Sequence, residues 1–348
     1  MSVALLAIGT AVPPHRIGQA EAAAAAERMF AERLPGYQRL RGVFATTGIE
    51  QRWAARPIDW YTSQRGWPER TAAFLDSATD LFVRASEQAL ARAGVGAAEV
   101  DIIVTVCSTG IATPSLEARA MRQLPFRPDV ARFPLFGLGC AGGVAGLGLA
   151  ASLARSRPGA TVLVVAVELC TLAFRLDKLT KANIVATALF GDGAAAAVLC
   201  SGDAGRVQIG QGQQHTWPDT LAVMGWEVDP VGFGVIFDRA IPGFAVEHLP
   251  AAVDAILGRA GLTPAEIDRW ICHPGGTKVL AALETALGLA PGTLDREREV
   301  LRDFGNMSAP TALFVLERLL ADGLRGRNLL MALGPGFTLS CLPITADA

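Results

Sequence analysis

The chain has little that would staple it together or load it with charge. Its six cysteines, Cys107, Cys140, Cys170, Cys200, Cys272 and Cys341, stand far apart, and none forms a close CxxC pair. That spacing argues against a structural zinc site and a disulfide framework. Histidine is scarcer still: His15, His215, His248 and His273 are the full set, and no two lie four residues apart. No metal is expected on this pattern, so catalysis would fall to organic groups. Positive charge is not in excess, and a formal net charge of −2 leaves no electrostatic footprint for a nucleic acid. No apolar run reaches membrane-spanning length free of glycine, proline or charge. Residues 1–9 are apolar, but no basic segment precedes them and no small-residue cleavage site follows, so they read as a strand rather than a signal peptide. The expectation is a soluble cytoplasmic protein with no nucleic-acid partner and no stable membrane insertion. Peripheral contact with a membrane stays open if the substrate is a lipid.

What the chain does have is apolar bulk. Half of its 348 residues are hydrophobic and only 18% are charged, enough to build a large core. The length suits two domains or one body of two halves. Apolar runs alternate with alanine- and leucine-rich stretches. Residues 71–94 read as a helix ending at Gly94. Residues 100–106, 132–138 and 161–167 read as buried strands, with a glycine-rich helix over 140–155. Residues 202–205 and the polar stretch after them mark a midpoint, which divides the chain into 1–203 and 204–348. A second series follows: helix 244–259, strand 267–272, helices 275–287, 295–303 and 309–321, and strands 328–333 and 337–344. The βαβ alternation predicts an α/β fold. Both halves carry similar material, without an obvious repeat.

Three segments could carry chemistry. Gly139-Cys140-Ala141-Gly142-Gly143 turns a strand into a helix with little bulk. A thiol at a helix N-terminus meets the positive end of the dipole, which favours thiolate. The glycines would also let a substrate carbonyl approach backbone N–H groups. A structural cysteine before a tightly packed helix is the competing reading. His273 ends a strand and precedes Pro274-Gly275-Gly276, with Pro274 holding it extended. Cys272 points to the opposite face and is not its partner. A hydrogen-bonded structural histidine is the alternative there. Asn306, in Phe304-Gly305-Asn306-Met307-Ser308-Ala309-Pro310, could be a simple helix cap. Gly191-Asp192-Gly193 lacks the lysine and hydroxyl residue of a phosphate loop and reads as a tight turn.

Taken together, the segments resemble the chalcone synthase-like type III polyketide synthases. "LLAIGTAVP", "GCAGG", "ALFGDGAAAA", "CHPGG", "FGNMSAP" and "LGPGF" occur in the family's order over nearly the whole chain. The resemblance implies a thiolase-like layered α/β/α/β/α fold of two similar halves, with Cys140 in the first and His273 and Asn306 in the second. It also implies a homodimer. Cys140 would hold an acyl starter as a thioester, and His273 would pair with its thiolate. His273 and Asn306 would stabilise the enolate left by decarboxylation of malonyl-CoA, without metal or cofactor. Acyl-CoA and malonyl-CoA would be substrates.

By family position, Phe190 matches one of two gatekeeper aromatics between a CoA tunnel and the cavity. The second falls on Val235, so a wider cavity is expected there. Cys170 and Ala173 replace hydroxyl residues of the plant cavity, and Cys170 resembles the residue that opens an acyl tunnel in some long-chain bacterial members. Thr113 and Ser308 also fall on cavity positions, and Gly275 and Gly276 are counted with the substrate-binding set. Arg39, Arg41 and Lys278 lie near CoA-tunnel positions, with a solvated basic surface as the alternative. "MGWEVDPVGFGVIFDRAIP" is closest to bacterial alkylresorcinol and alkylpyrone synthases, which favours a medium- or long-chain fatty acyl starter. A β-ketoacyl carrier-protein synthase III-like single condensation, and a non-catalytic acyl-binding subunit, are the competing functions.

Overall fold

The computed structural model describes residues 1–202 and 205–347. The expected boundary between residues 203 and 204 therefore lies outside the described residues. The main sheet has ten strands. Across its first part run Ala131–Leu135, Ile102–Val106, Thr161–Leu169, Asp192–Ser201 and Val3–Ala11. The sheet continues through Val207–Ile209, Thr338–Ala346, Gly326–Gly334 and Arg269–Cys272, with Gln213–Thr216 paired to Thr338–Ala346.

The two ends of the sheet repeat one pattern. Ile102–Val106 lies parallel to Thr161–Leu169, which is antiparallel to Asp192–Ser201. Arg269–Cys272 lies parallel to Gly326–Gly334, which is antiparallel to Thr338–Ala346. In each set a buried helix leads into the middle strand: Gly142–Ser156 in the first, Thr311–Ala321 in the second. Both helices belong to one central hydrophobic core.

Strand periodicity then sorts side chains between layers. Val162, Val164 and Ala166 enter the central core, while Leu163, Val165 and Val167 enter an outer one beside helix Trp67–Ala93. Leu330 and Ala332 face the centre, while Leu329, Met331 and Leu333 pack toward helix Ile241–Arg259. The result is helix, sheet, central helices, sheet, helix.

The central helices approach closely because glycine lets them. A Cβ on Gly143 would lie 2.2 Å from the carbonyl oxygen of Ala309, and one on Gly142 would lie 2.6 Å from Val106. Gly191-Asp192-Gly193 is not the turn expected. Asp192 opens a buried strand, and the flanking glycines sit against Phe304 and Met307.

Separate from the main sheet, Met224–Val228 and Phe233–Phe237 form a two-stranded hairpin. No helix among the described residues is long and apolar enough to cross a membrane.

Candidate active site

Cys140 stands in a short 3-10 turn, Gly139–Ala141, that runs directly into helix Gly142–Ser156. It is 7% exposed at the positive end of that helix. Gly139 adopts φ +48° and donates its N–H to Ser108 Oγ at 3.0 Å, which fixes the turn. His273 follows strand Arg269–Cys272 and is 5% exposed. Its backbone N–H continues the strand pairing to Met331 O at 2.9 Å. Cys272 packs into the outer core, on the other side from His273.

Asn306 is 1% exposed and is not a helix cap, since Thr311–Ala321 begins after Pro310. Its Oδ1 accepts Ser308 N–H at 2.8 Å in a local turn, and its Nδ2 donates to Gly275 O at 3.2 Å. The amide is thus oriented from both ends. Ser308 takes φ +60°, a strained value for a residue with a side chain. Thr311 Oγ1 holds this turn, accepting Met307 N–H and donating to Ser308 O, both at 2.9 Å.

All three residues line one cavity, with Gly275, Met224, Phe237 and Val279. This reaction cavity shares Cys140, Met224 and Phe237 with a junction that also meets Cys170, Phe190, Val235 and Ser308. The junction shares Cys170, Phe190, Trp226 and Val235 with a distal cavity of about 650 Å³ of empty space, which Ala173 also lines. Thr113 is exposed and lines none of these cavities, since its loop runs over the surface. Gly276 also lies outside them: it caps helix Thr277–Ala286 at φ +156° and faces Leu189. Arg39, Arg41 and Lys278 are exposed, line none of the three cavities, and form no ion pair among the described residues.

Val235 does not leave the open wall expected of a lost aromatic. Trp226 pairs directly across from it on the hairpin, and its ring centroid lies 6.2 Å from that of Phe190. Arg52 is a further residue that sequence reasoning passed over. Buried at 3% exposure, it donates to the carbonyls of Thr187, Ala188 and Phe190 at 2.6, 2.7 and 2.9 Å, and to Gln19. It thereby ties off helix Lys181–Leu189 beside Asn306, whose N–H bonds Leu189 O. A single arginine in a four-residue strand carries no sequence signal for that role.

Burial sets the electrostatics. It pushes the Cys140 thiol up to about 11, with Glu168 adding to the rise and hydrogen bonds from Ser308 and Asn306 opposing it. It drives His273 down to about 3. Neither imidazole nitrogen has a hydrogen-bond partner among the described residues. Burial thus works against the charged form of each group, the direction opposite to the expected thiolate–imidazolium pair. Glu168 is itself raised to about 7 by burial, although it accepts from Ser108 N–H and Thr109 Oγ1.

A cysteine at a helix start in one half, sharing a largely apolar cavity with a histidine and an amide from the other, is the arrangement of a condensing acyltransferase of the thiolase type. Comparison with known proteins narrows the class. Residues 63–203 match the N-terminal domain of chalcone and stilbene synthases, and residues 208–346 match their C-terminal domain. A 1,3,6,8-tetrahydroxynaphthalene synthase of Streptomyces peucetius is 40% identical over 95% of this chain and 90% of its own. A 3,5-dihydroxyphenylacetyl-CoA synthase of Amycolatopsis balhimycina is 33% identical over 86% of this chain and 83% of its own. The crystal structure of the tetrahydroxynaphthalene synthase of Streptomyces coelicolor, a bacterial type III polyketide synthase, superposes with a TM-score of 0.93 at 28% identity over 99% of both chains. The chain belongs to the chalcone and stilbene synthase family and is a type III polyketide synthase. It is an acyltransferase that condenses malonyl-CoA.

Proposed function

We propose that the enzyme loads a medium- or long-chain fatty acyl starter on Cys140, extends it with malonyl units and cyclises the product to an alkylpyrone or alkylresorcinol. The distal cavity carries this reading. Its wall is mostly apolar, with Ala22, Ala25, Met29, Ile58, Phe174 and Ala186, and its polar members are Arg52, Tyr61, Thr171, Asn183 and Thr187. Each methylene buried there would contribute about 0.8 kcal/mol.

In the reaction proposed, Cys140 gives its proton to His273 and attacks the acyl-CoA carbonyl, and CoA thiolate leaves. Malonyl-CoA then loses CO₂. The electron pair of the broken C–C bond becomes an enolate whose oxygen meets the Asn306 amide and His273, and the enolate carbon displaces Cys140 from the acyl carbon. The fixed Asn306 amide needs no reorganisation at that moment, which is what makes such a donor effective. We assign no cofactor beyond the CoA thioesters, and a cytoplasmic location. We also propose a homodimer, on the unpaired outer edge of strand Ala131–Leu135, where Phe133, Phe136 and Ile111 are exposed.

A second reading has its own support. The relatives named above are synthases of hydroxylated aromatic products, which would need no alkyl starter on Cys140. Incubation with malonyl-CoA and an acyl-CoA series from acetyl to palmitoyl, with products identified by mass, separates the two. Efficiency rising with chain length, and a shift toward short starters in Cys170→Phe, support the alkyl reading. A flat profile with a hydroxylated ring made from malonyl-CoA alone supports the second.

A further inference from the structure

Arg175 is the largest of the fully buried side chains, at 1% exposure, yet it lines none of the three cavities. Its guanidinium is shared between two carboxylates. Nε donates to Asp177 Oδ1 at 2.7 Å, and Nη2 also meets Asp177 Oδ2. Nη1 donates to Asp229 Oδ1 at 2.9 Å and Nη2 to Asp229 Oδ2 at 3.2 Å. Asp229 sits in the turn of the hairpin Met224–Val228 and Phe233–Phe237. The same carboxylate accepts Val231 N–H at 2.9 Å and Gly232 N–H at 3.2 Å, and Lys178 Nζ lies 3.1 Å away. The Asp229 carbonyl takes the indole N–H of Trp67 at 2.9 Å.

This hairpin pairs only with itself, so no ladder to the main sheet sets its position. A lone two-stranded hairpin is marginal in water and depends on what it packs against. The residues it gives to the cavities include the cross-strand pairs Met224–Phe237 and Trp226–Val235. They form one wall of the junction, with Cys170 and Phe190 on the other. Arg175 lies five residues beyond Cys170, and its carbonyl is tied to Asn183 on the helix that ends at Phe190. The ion pair thus bridges the two walls. The arginine is buried while Asp177 and Asp229 are partly exposed, and the two-pronged contact fixes their geometry.

The geometry points to Arg175 as a positioning residue for substrate length. By latching the hairpin through Asp229 it holds Trp226 and Val235 at a set distance from Phe190 and Cys170, and so fixes the passage from Cys140 to the distal cavity. For starters this rests on the alkyl reading above.

The test uses the full-length enzyme with Asp229→Asn, Arg175→Lys and the double variant. Lysine keeps the charge but loses the fork. Malonyl-CoA decarboxylation and alkylation of Cys140 should stay within about twofold of wild type. The ratio of kcat/KM for dodecanoyl-CoA over butyryl-CoA should fall at least threefold in each single variant and no further in the double. A residue that only stabilises the fold would lower the melting temperature and slow all starters equally. An unchanged ratio in a folded Asp229→Asn protein overturns the latch. If wild type itself shows no length dependence, the starter reading falls. The latch is then read from the number of malonyl units in products made from malonyl-CoA alone, and an unchanged number in Asp229→Asn overturns it.

Discussion

Cys140, His273 and Asn306 are placed by backbone devices close to each of them: a φ +48° glycine, the end of a strand, and a strained serine two residues on. Local control explains why the motifs around them carry the resemblance. Cys140→Ala should abolish condensation in a folded protein, whereas Cys170→Ala should keep it, both measured as product formed. Asn306→Asp should keep the acceptor that holds Ser308 while losing the N–H donors. Decarboxylation of malonyl-CoA should then fall about 100- to 1,000-fold, and the melting temperature should drop as well, because a buried carboxylate oxygen then faces the Gly275 carbonyl. Near-normal decarboxylation would leave Asn306 only its structural turn.

Glu168 carries two expectations at this scale. Its charge opposes the Cys140 thiolate, so Glu168→Gln should speed alkylation of Cys140 at pH 8. Its carboxyl is raised from 4.5 to about 7 in the fold. The folded state then binds a proton that the unfolded state releases between those values. The stability this contributes is full below pH 4.5 and is lost as pH rises through about 7. The melting temperature of wild type should therefore drop more between pH 5 and 8 than that of Glu168→Gln. Equal slopes would show that this carboxyl ionises normally.

At the scale of elements, glycine in helix Gly142–Ser156 serves packing. The glycines after Cys140 were expected to admit a substrate carbonyl, but Gly142 and Gly143 instead face Val106 and Ala309. Gly143→Ala must push a methyl into the Ala309 carbonyl, at a cost of about 1–3 kcal/mol or more as for overpacking. Thermal denaturation should show a loss of that size, while Gly159→Ala, where no atom lies within 4 Å, isolates the separate strain of a positive φ. Helix Gln19–Phe30 and strand Asp192–Ser201 went unread for a related reason. Both are alanine-rich, and alanine favours helix intrinsically. The strand forms because its small side chains fit between two packed layers, and its neighbours Val3–Ala11 and Thr161–Leu169 satisfy its backbone.

Across the whole molecule, two sets of strands and two buried helices meet so that a cysteine precedes one central helix and an asparagine precedes the other. The edge strand Ala131–Leu135 leaves backbone groups unpaired beside Phe133 and Phe136, a surface suited to a second copy. Phe136→Lys should shift the enzyme toward monomer in sedimentation, and an unchanged mass would move the interface elsewhere.

The α/β alternation and most strands and helices of the main sheet follow from sequence alone, and the family's motifs picked out Cys140, His273 and Asn306, which the fold brings to one cavity. The elements are written in local chemistry, as apolar period, glycine and proline, whereas the three residues were singled out by the resemblance. The cavities are not written there. Trp226 replaces the ring missing at Val235 only because the hairpin sets them opposite each other. Arg52 and Arg175 acquire roles only when distant carbonyls and carboxylates converge on them. Whether Cys140 and His273 carry charge depends on how much water the assembled halves exclude, and that is a property of the packed molecule.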